Sequence, residues 1–167
     1  NDTQPWNRQI DDYYLPKKKK RNKAGKVTIM RGLPGSGKST TVEAIAEWPH
    51  VIASADDFFM VDDEYVFDGR KIVDAHQHCW GVFIDALFAG VAHILVDNTN
   101  MRAVEYGNYV KLAKNMGYNV EIICVKAGLL DDTPLSTLFE RGKHGVPMVT
   151  LERMKQNFQP DVGERYV

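Results

Sequence analysis

The stretch "GLPGSGKST", residues 32–40, decides the fold of this chain. Its first eight residues match the pattern G-x-x-x-x-G-K-[S/T], which forms a phosphate-binding loop between a strand and a helix. Glycine at 35 and 37 allows successive backbone N–H groups to converge on phosphate oxygens. We expect Lys38 to reach the terminal phosphates of a nucleoside triphosphate and Ser39 to bind Mg²⁺. The residues predicted to bind the nucleotide are Gly32, Pro34, Gly35, Ser36, Gly37, Lys38, Ser39 and Thr40.

The pattern on both sides of this loop alternates between short apolar runs and amphipathic segments. Such alternation predicts a parallel sheet covered on both faces by helices, so the fold class is α/β. We expect the three-layer sandwich of a P-loop NTPase, with a central parallel sheet and a small helical lid. Strands are predicted at 26–31, 50–55, 92–98 and 118–126, and helices at 38–48, 70–90, 102–117, 135–142 and 147–158.

The composition is that of a globular chain with one domain of ordinary size. Its 167 residues are 44% hydrophobic and 26% charged, and the formal net charge of −1 gives no sign of a nucleic-acid binder. Cys79 and Cys124 lack the spacing of a disulfide framework or a metal site. No run of eighteen apolar residues is present, so we expect no transmembrane helix. These features favour an intracellular protein of the cytoplasm or nucleus.

The predicted domain organisation has a basic, partly disordered N-terminal arm at 1–25 and a kinase domain at 26–167, with a lid near 133–147. The arm carries "PKKKKR", residues 16–21. Such a segment is compatible with nuclear import, with phosphate contacts, or with a solvated linker. The chain lacks an initiating Met, so we expect a fragment of a longer protein that has further domains.

Acidic residues follow the second and third predicted strands, and ligands of parallel sheets bind outside the carboxyl ends of strands. Asp56 and Asp57 follow the second strand, where a carboxylate could act as a general base on an acceptor hydroxyl or simply form a turn. Asp97 ends the third strand, where an acid commonly assists Mg²⁺.

Short polar side chains come directly after Asp97 and offer hydrogen bonds to an acceptor. They are Asn98, Thr99 and Asn100, although Asn100 could equally cap the following helix. Farther along, Arg141, Lys143 and His144 form a basic segment suited to a lid that closes over phosphates. A solvated helix end would have the same composition.

Four motifs together resemble the polynucleotide kinase branch of P-loop kinases. They are "RGLPGSGKS", "SADDFF", "ILVDNTN" and "RGKHGVP", and they span most of residues 27–158. Relatives of this type include the 5′-hydroxyl kinase domain of bacteriophage polynucleotide kinase, the P-loop domain of 2′,3′-cyclic-nucleotide phosphodiesterase, and kinase-like domains of certain ubiquitin-ligase-binding proteins. The resemblance implies ATP and Mg²⁺ as cofactors and a 5′-hydroxyl end of RNA or DNA as the partner. It also implies that Asp56 is the general base and that Arg141 contacts the transferring phosphate.

One position departs from the phage-type pattern. The arginine expected three residues after the catalytic aspartate, which resembles a clamp on the acceptor phosphate, is here Phe59. We therefore keep two alternatives beside the polynucleotide kinase: a small-molecule kinase, and an ATP-binding RNA-interaction module with weak or no catalysis. The aromatic residues Phe58, Phe59, Tyr65 and Phe67 could stack on a base or pack a loop onto the core.

Overall fold

The computed structural model of the chain describes residues 25–167, so the basic segment at 16–21 lies outside the described residues. Seven strands and five α-helices form within this range. The strands are β1 (Lys26–Arg31), β2 (His50–Ala53), β3 (Met60–Val61), β4 (Glu64–Tyr65), β5 (His93–Asp97), β6 (Asn119–Cys124) and β7 (Arg165–Tyr166). The helices are α1 (Lys38–Ile45), α2 (Ile72–Ala89), α3 (Ala103–Asn115), α4 (Leu135–Arg141) and α5 (Met148–Asn157).

A five-stranded sheet with the order β2-β5-β1-β6-β7 forms the centre of the fold, and all of its pairings are parallel. Met30 of β1 pairs with Asp97 of β5, and Ala53 of β2 pairs with Val96. The three carboxyl ends therefore lie at one edge of the sheet. The predicted α/β class and the central parallel sheet are confirmed.

Alternate residues of the strands cover the two faces of the sheet, because successive side chains point to opposite sides. On one face Val27, Ile29 and Ile94 pack with buried residues of α2 and α3. On the other face Met30 and Leu95 pack with Val42 and other residues of α1. The helices thus form two outer layers around the sheet.

A third apolar cluster packs α4 and α5 onto the phosphate-binding loop. Leu33 of the loop, Met101, Leu138 of α4 and Leu151 of α5 are all buried in it. The approach is close at Gly35, where an added Cβ would overlap the carbonyl oxygen of Leu138. The segment predicted as a lid therefore rests directly on the loop.

The segment at 56–69 lies between the predicted second strand and the next predicted helix, and it is partly regular. It contains a 3-10 helix, Ala55–Phe59, and a small antiparallel hairpin formed by β3 and β4. Asp62 and Asp63 adopt positive φ values of 50° and 65° in the hairpin turn, a conformation that Asp tolerates better than most residues. The sequence predicts no strand or helix between residues 56 and 69, because elements of two to five residues are too short for a periodic pattern.

Several boundaries differ from the predicted ones by a few residues. Helix α1 ends at Ile45 and not at Trp48, because the backbone of Ala46 is already extended, with a φ of −62° and a ψ of 123°. Pro147 lies one residue before α5 and not inside it. Strand β7 was not predicted, since its two residues are too few for a periodic pattern. Between residues 25 and 167, no helix is long and apolar enough to cross a membrane.

Candidate functional site

The loop between β1 and α1 has the conformation that its glycines allow. Gly35 and Gly37 have φ values of 77° and 92°, in the left-handed region that favours glycine. Helix α1 begins at Lys38, and its first backbone hydrogen bond runs from the N–H of Thr41 to the carbonyl of Gly37. The preceding N–H groups therefore have no acceptor within the helix and are available to an anion.

Ser36 gives the loop an unusual polar atom. Its Oγ is buried and has no hydrogen-bond partner among the described residues. Buried hydroxyls of this kind are normally satisfied, so an unpaired one suggests that a ligand or water supplies the partner. The loop residues therefore suit the phosphates of a nucleotide.

Lys38 and Asp97 join the loop to the end of β5. The Nζ of Lys38 lies 2.6 Å from Oδ1 of Asp97, and both side chains are 13% exposed. Phosphate oxygens could replace this carboxylate as the partner of Lys38, which would release Asp97. The ion pair thus joins Lys38, which is predicted to bind phosphate, to Asp97, which is predicted to bind Mg²⁺.

Metal binding at this edge would depend on the nucleotide. No group of three or more His, Cys, Asp or Glu side chains in residues 25–167 is arranged to hold a metal ion. The hydroxyl-bearing Ser39 is exposed at the start of α1, and Asp97 lies nearby at the β5 end. This sparse set suits Mg²⁺, which commonly binds through one or two protein groups together with substrate phosphates.

Asp56 and Asp57 lie in the 3-10 helix that follows β2. Oδ1 of Asp56 accepts a hydrogen bond of 3.2 Å from the hydroxyl of Tyr65 on β4. Burial, and then the charge of Asp56, raise the pKa of Tyr65 to about 12, so its hydroxyl remains a donor at neutral pH. Tyr65, which lies outside the motif "SADDFF", thus orients the Asp56 carboxylate.

The pKa of the Asp57 carboxyl is affected by the neighbouring acidic side chains. Desolvation raises the pKa of its carboxyl, and the charges of Asp56 and Asp97 raise it further, whereas His78 lowers it. Asp97, at the end of β5, is thus among the charges that act on Asp57, which follows β2. Asp57 is consequently a second carboxylate that an acceptor hydroxyl could meet.

Asn98 ties these two strand ends together. Its Oδ1 accepts a hydrogen bond of 2.9 Å from the backbone N–H of Ala55, and its Nδ2 lies 3.4 Å from Sγ of the buried Cys79. Asn98 therefore fixes the start of the 3-10 helix that carries Asp56. Its amide is committed to the protein, which makes it a positioning residue.

The next two polar residues also contact the protein. The carbonyl of Thr99 accepts a 3.1 Å bond from the N–H of Gly32. Asn100 is buried, has a φ of 50°, and donates from Nδ2 to the carbonyl of Met30 at 2.8 Å. It does not cap α3, whose N-cap is Arg102. The geometry gives Asn100 a structural role.

The basic segment follows α4 and reaches the hairpin. Arg141 is the last residue of α4 and is exposed, as is Lys143. The ring of His144 packs on that of Tyr65, with centroids 3.9 Å apart. One side of the predicted lid therefore touches the tyrosine that holds Asp56.

Arg31 was not among the residues selected from the sequence. Its fully buried side chain donates to the carbonyls of Asn100, Met101 and Gln159 and forms a 2.6 Å ion pair with Glu164. This network anchors the loop after β5 to the end of the chain. The only signal in the sequence was an arginine at the end of an apolar strand.

Comparison with known proteins agrees with this geometry. The sequence matches the family described as "AAA domain" over residues 27–160. The chain belongs to this family. NEDD4-binding protein 2 of Homo sapiens is 32% identical over 135 residues, which are 80% of this chain. The chain spans only 8% of that protein's length.

Solved structures share the fold of this family member. A chain of the Pnkp1/Rnl/Hen1 RNA repair complex superimposes with a TM-score of 0.61 and 20% identity, over 86% of this chain and 47% of that one. A gluconokinase from Sinorhizobium meliloti 1021 gives a TM-score of 0.51 and 20% identity, over 88% and 83% of the two chains. The resemblance to P-loop kinases of the polynucleotide kinase type is thereby confirmed in fold. The chain therefore has a fold that P-loop kinases also have.

Proposed function

We propose that this AAA-domain family member is a polynucleotide 5′-hydroxyl kinase that uses ATP and Mg²⁺. One observation carries the proposal: the Asp56 carboxylate, oriented by Tyr65, belongs to a segment that Asn98 fastens beside the Lys38–Asp97 pair. A base for a hydroxyl and a cation for phosphates thus occur at adjoining strand ends. The RNA repair complex whose chain shares this fold supports the choice of a polynucleotide acceptor.

The reaction would proceed by direct transfer. Asp56 removes the proton of the acceptor 5′-hydroxyl as its oxygen forms a bond to the γ-phosphorus. The bond from that phosphorus to the β–γ bridging oxygen breaks, and ADP leaves. Lys38 and Arg141 stabilise the charge on the transferring group, because positioning and electrostatics dominate this chemistry. Ser39 and Asp97 would hold Mg²⁺ together with the phosphates, and the bound ion would supply further neutralisation of that charge.

Two other functions each have one supporting observation. The shared fold with a gluconokinase favours a kinase of a small polyhydroxy acceptor. The residue at the position of the phage-type arginine, Phe59, is buried with 5% exposure and cannot contact an acceptor phosphate. That substitution favours an ATP-binding RNA-interaction module. The hydrogen bond from Tyr65 to Asp56 favours catalysis over this module.

The decisive assay is transfer from γ-labelled ATP to a 5′-hydroxyl oligonucleotide, with gluconate as the competing acceptor. Asp56→Asn should lower the transfer rate about 10²- to 10⁴-fold, the usual contribution of a general base. Asp62→Asn is the matched control, because Asp62 lies in the hairpin turn with a positive φ that Asn also tolerates. We expect its activity to equal that of the wild type.

Three results would redirect the proposal. Transfer to gluconate and not to the oligonucleotide would identify a small-molecule kinase. ATP binding without transfer to either would identify the interaction module. A rate that falls in Asp57→Asn but not in Asp56→Asn would move the role of base to the neighbouring carboxylate, which also lies in the 3-10 helix.

A further inference from the structure

A cluster of aromatic rings borders the proposed catalytic carboxylate. Phe59 forms its base, with ring centroids 6.0 Å from Tyr65 and 5.1 Å from Phe67. The rings of Tyr65 and Phe67 are near-parallel, with an interplanar angle of 16° and centroids 6.4 Å apart. His144 of the basic segment lies against Tyr65. We call Tyr65, Phe67 and His144 the aromatic platform.

The platform is only partly used by the protein core. Phe59 is buried, whereas Phe67 is 56% exposed and Tyr65 is half-buried. Packing of the loop onto the core therefore accounts for Phe59 and leaves most of Phe67 unexplained. An exposed aromatic ring of this kind offers a flat surface on which another ring can stack.

The platform is directly connected to the reaction centre. The hydroxyl of Tyr65 is bonded to Asp56, while its ring belongs to the platform. A nucleotide whose 5′-oxygen reaches Asp56 would have its own base within a few ångströms of these rings. A small polyhydroxy acceptor has no aromatic ring to stack on them.

Charges around the platform favour a polyanion on one side. Arg141 and Lys143 are exposed next to His144. The tip of the hairpin that carries Tyr65 is acidic, with Asp62, Asp63 and Glu64 exposed. Phosphates of a bound strand would therefore follow the basic segment and avoid the hairpin tip.

We infer that the aromatic platform binds the 5′-terminal nucleobase of a single-stranded acceptor, with Phe67 as its main stacking surface. The inference rests on the proposed function and specifies its substrate: an unpaired end, because a base held in a duplex keeps its faces stacked inside the helix. Binding at the platform would depend little on which base is at the 5′ end, since every base has an aromatic face.

The test compares two 5′-hydroxyl oligonucleotides that differ only at the first nucleotide, one normal and one abasic. In the wild type the abasic end should raise the KM for the oligonucleotide about 5- to 150-fold, the range expected for one lost stacking contact. Phe67→Ala should raise the KM for the normal end by a similar factor and add little for the abasic end. Phe67→Trp should restore the preference.

Phe88→Ala is the matched control, because Phe88 is 48% exposed on α2, outside the platform. Its KM values should equal those of the wild type for both oligonucleotides. Lys143→Ala should weaken binding of both oligonucleotides alike and reduce the salt dependence of binding by about one phosphate contact.

Failure of this inference is distinguishable from failure of the proposed function. If the wild type transfers no phosphate to any 5′-hydroxyl oligonucleotide, the kinase proposal itself is wrong. If transfer occurs but the normal and abasic ends have equal KM values, the platform does not bind the base and the kinase proposal stands. The abasic comparison uses the unaltered protein, so it does not depend on the folding of a variant.

Discussion

The stabilities of two variants, Gly35→Ala and Gly37→Ala, should separate the effect of backbone strain from that of the contact between the loop and the lid. Both glycines have a positive φ, so either substitution imposes a strain of about 1–2 kcal/mol on an L-residue. They differ in their surroundings. A Cβ at Gly37 would meet nothing within 4 Å, whereas one at Gly35 would overlap the carbonyl of Leu138 and lie 2.9 Å from its carbon. The atoms that a Cβ at Gly35 would meet belong to the backbone of Leu138, so they cannot move aside by a side-chain rotation.

The expected cost therefore differs between the two variants. Gly37→Ala should lower the free energy of unfolding by about 1–2 kcal/mol, from strain alone. Gly35→Ala should lower it by a further ~1–3 kcal/mol, the usual cost of overpacking, as α4 is pushed from the loop. Each kcal/mol corresponds to roughly 2–4 °C in Tm for a chain of this size.

Urea unfolding followed by circular dichroism provides the comparison, with the midpoints and slopes fitted for each variant. Equal slopes would justify reading the midpoints as changes in stability. The reasoning would be refuted if Gly35→Ala were no less stable than Gly37→Ala, since α4 would then not rest on the loop as the structure describes.

Three further variants test other parts of the site. Asn98→Ala should leave the N–H of Ala55 unpaired, costing about 1–3 kcal/mol of stability and lowering kcat more than it raises the KM for ATP; an unchanged kcat would remove its positioning role. Glu164→Ala should cost about 3–5 kcal/mol in urea unfolding, because the buried Arg31 loses its ion-pair partner. Asp57→Asn should raise Tm at pH 7: the folded protein raises the pKa of this carboxyl, so its ionised form destabilises the native state above the unfolded pKa of 3.8. That difference should shrink below pH 3.8, and a Tm gain that persists there would point to another cause.

The fold was largely predictable because its signals are local. The phosphate-binding loop and the apolar strands appear in consecutive sequence, as does the helical spacing of Ile72, Ala75, Cys79, Phe83 and Leu87. The last four side chains are buried, whereas Ile72, at the start of the helix, is 44% exposed. The hairpin at 60–65 was missed because each of its strands has only two residues. Periodicity cannot be detected over so short a run.

The site was predictable in its positions but not in its contacts. The polar residues after β2 and β5 were selected by the rule that ligands bind at carboxyl ends. The hydrogen bond from Tyr65 to Asp56 joins two residues nine positions apart, and the one from the Ala55 N–H to Asn98 joins residues 43 positions apart. No sequence pattern indicates that either pair is in contact. Asn100 illustrates the converse, because its motif position suggested an acceptor contact whereas its side chain is buried against β1.

The most direct test of the kinase proposal is a crystal structure with a non-hydrolysable ATP analogue, Mg²⁺ and a 5′-hydroxyl oligonucleotide. We predict that the 5′-oxygen lies within hydrogen-bond distance of an Asp56 carboxylate oxygen, roughly 2.6–3.2 Å, while Lys38 has left Asp97 for the terminal phosphates. A complex in which the 5′-oxygen lies far from Asp56, with Lys38 still paired to Asp97, would contradict the proposal.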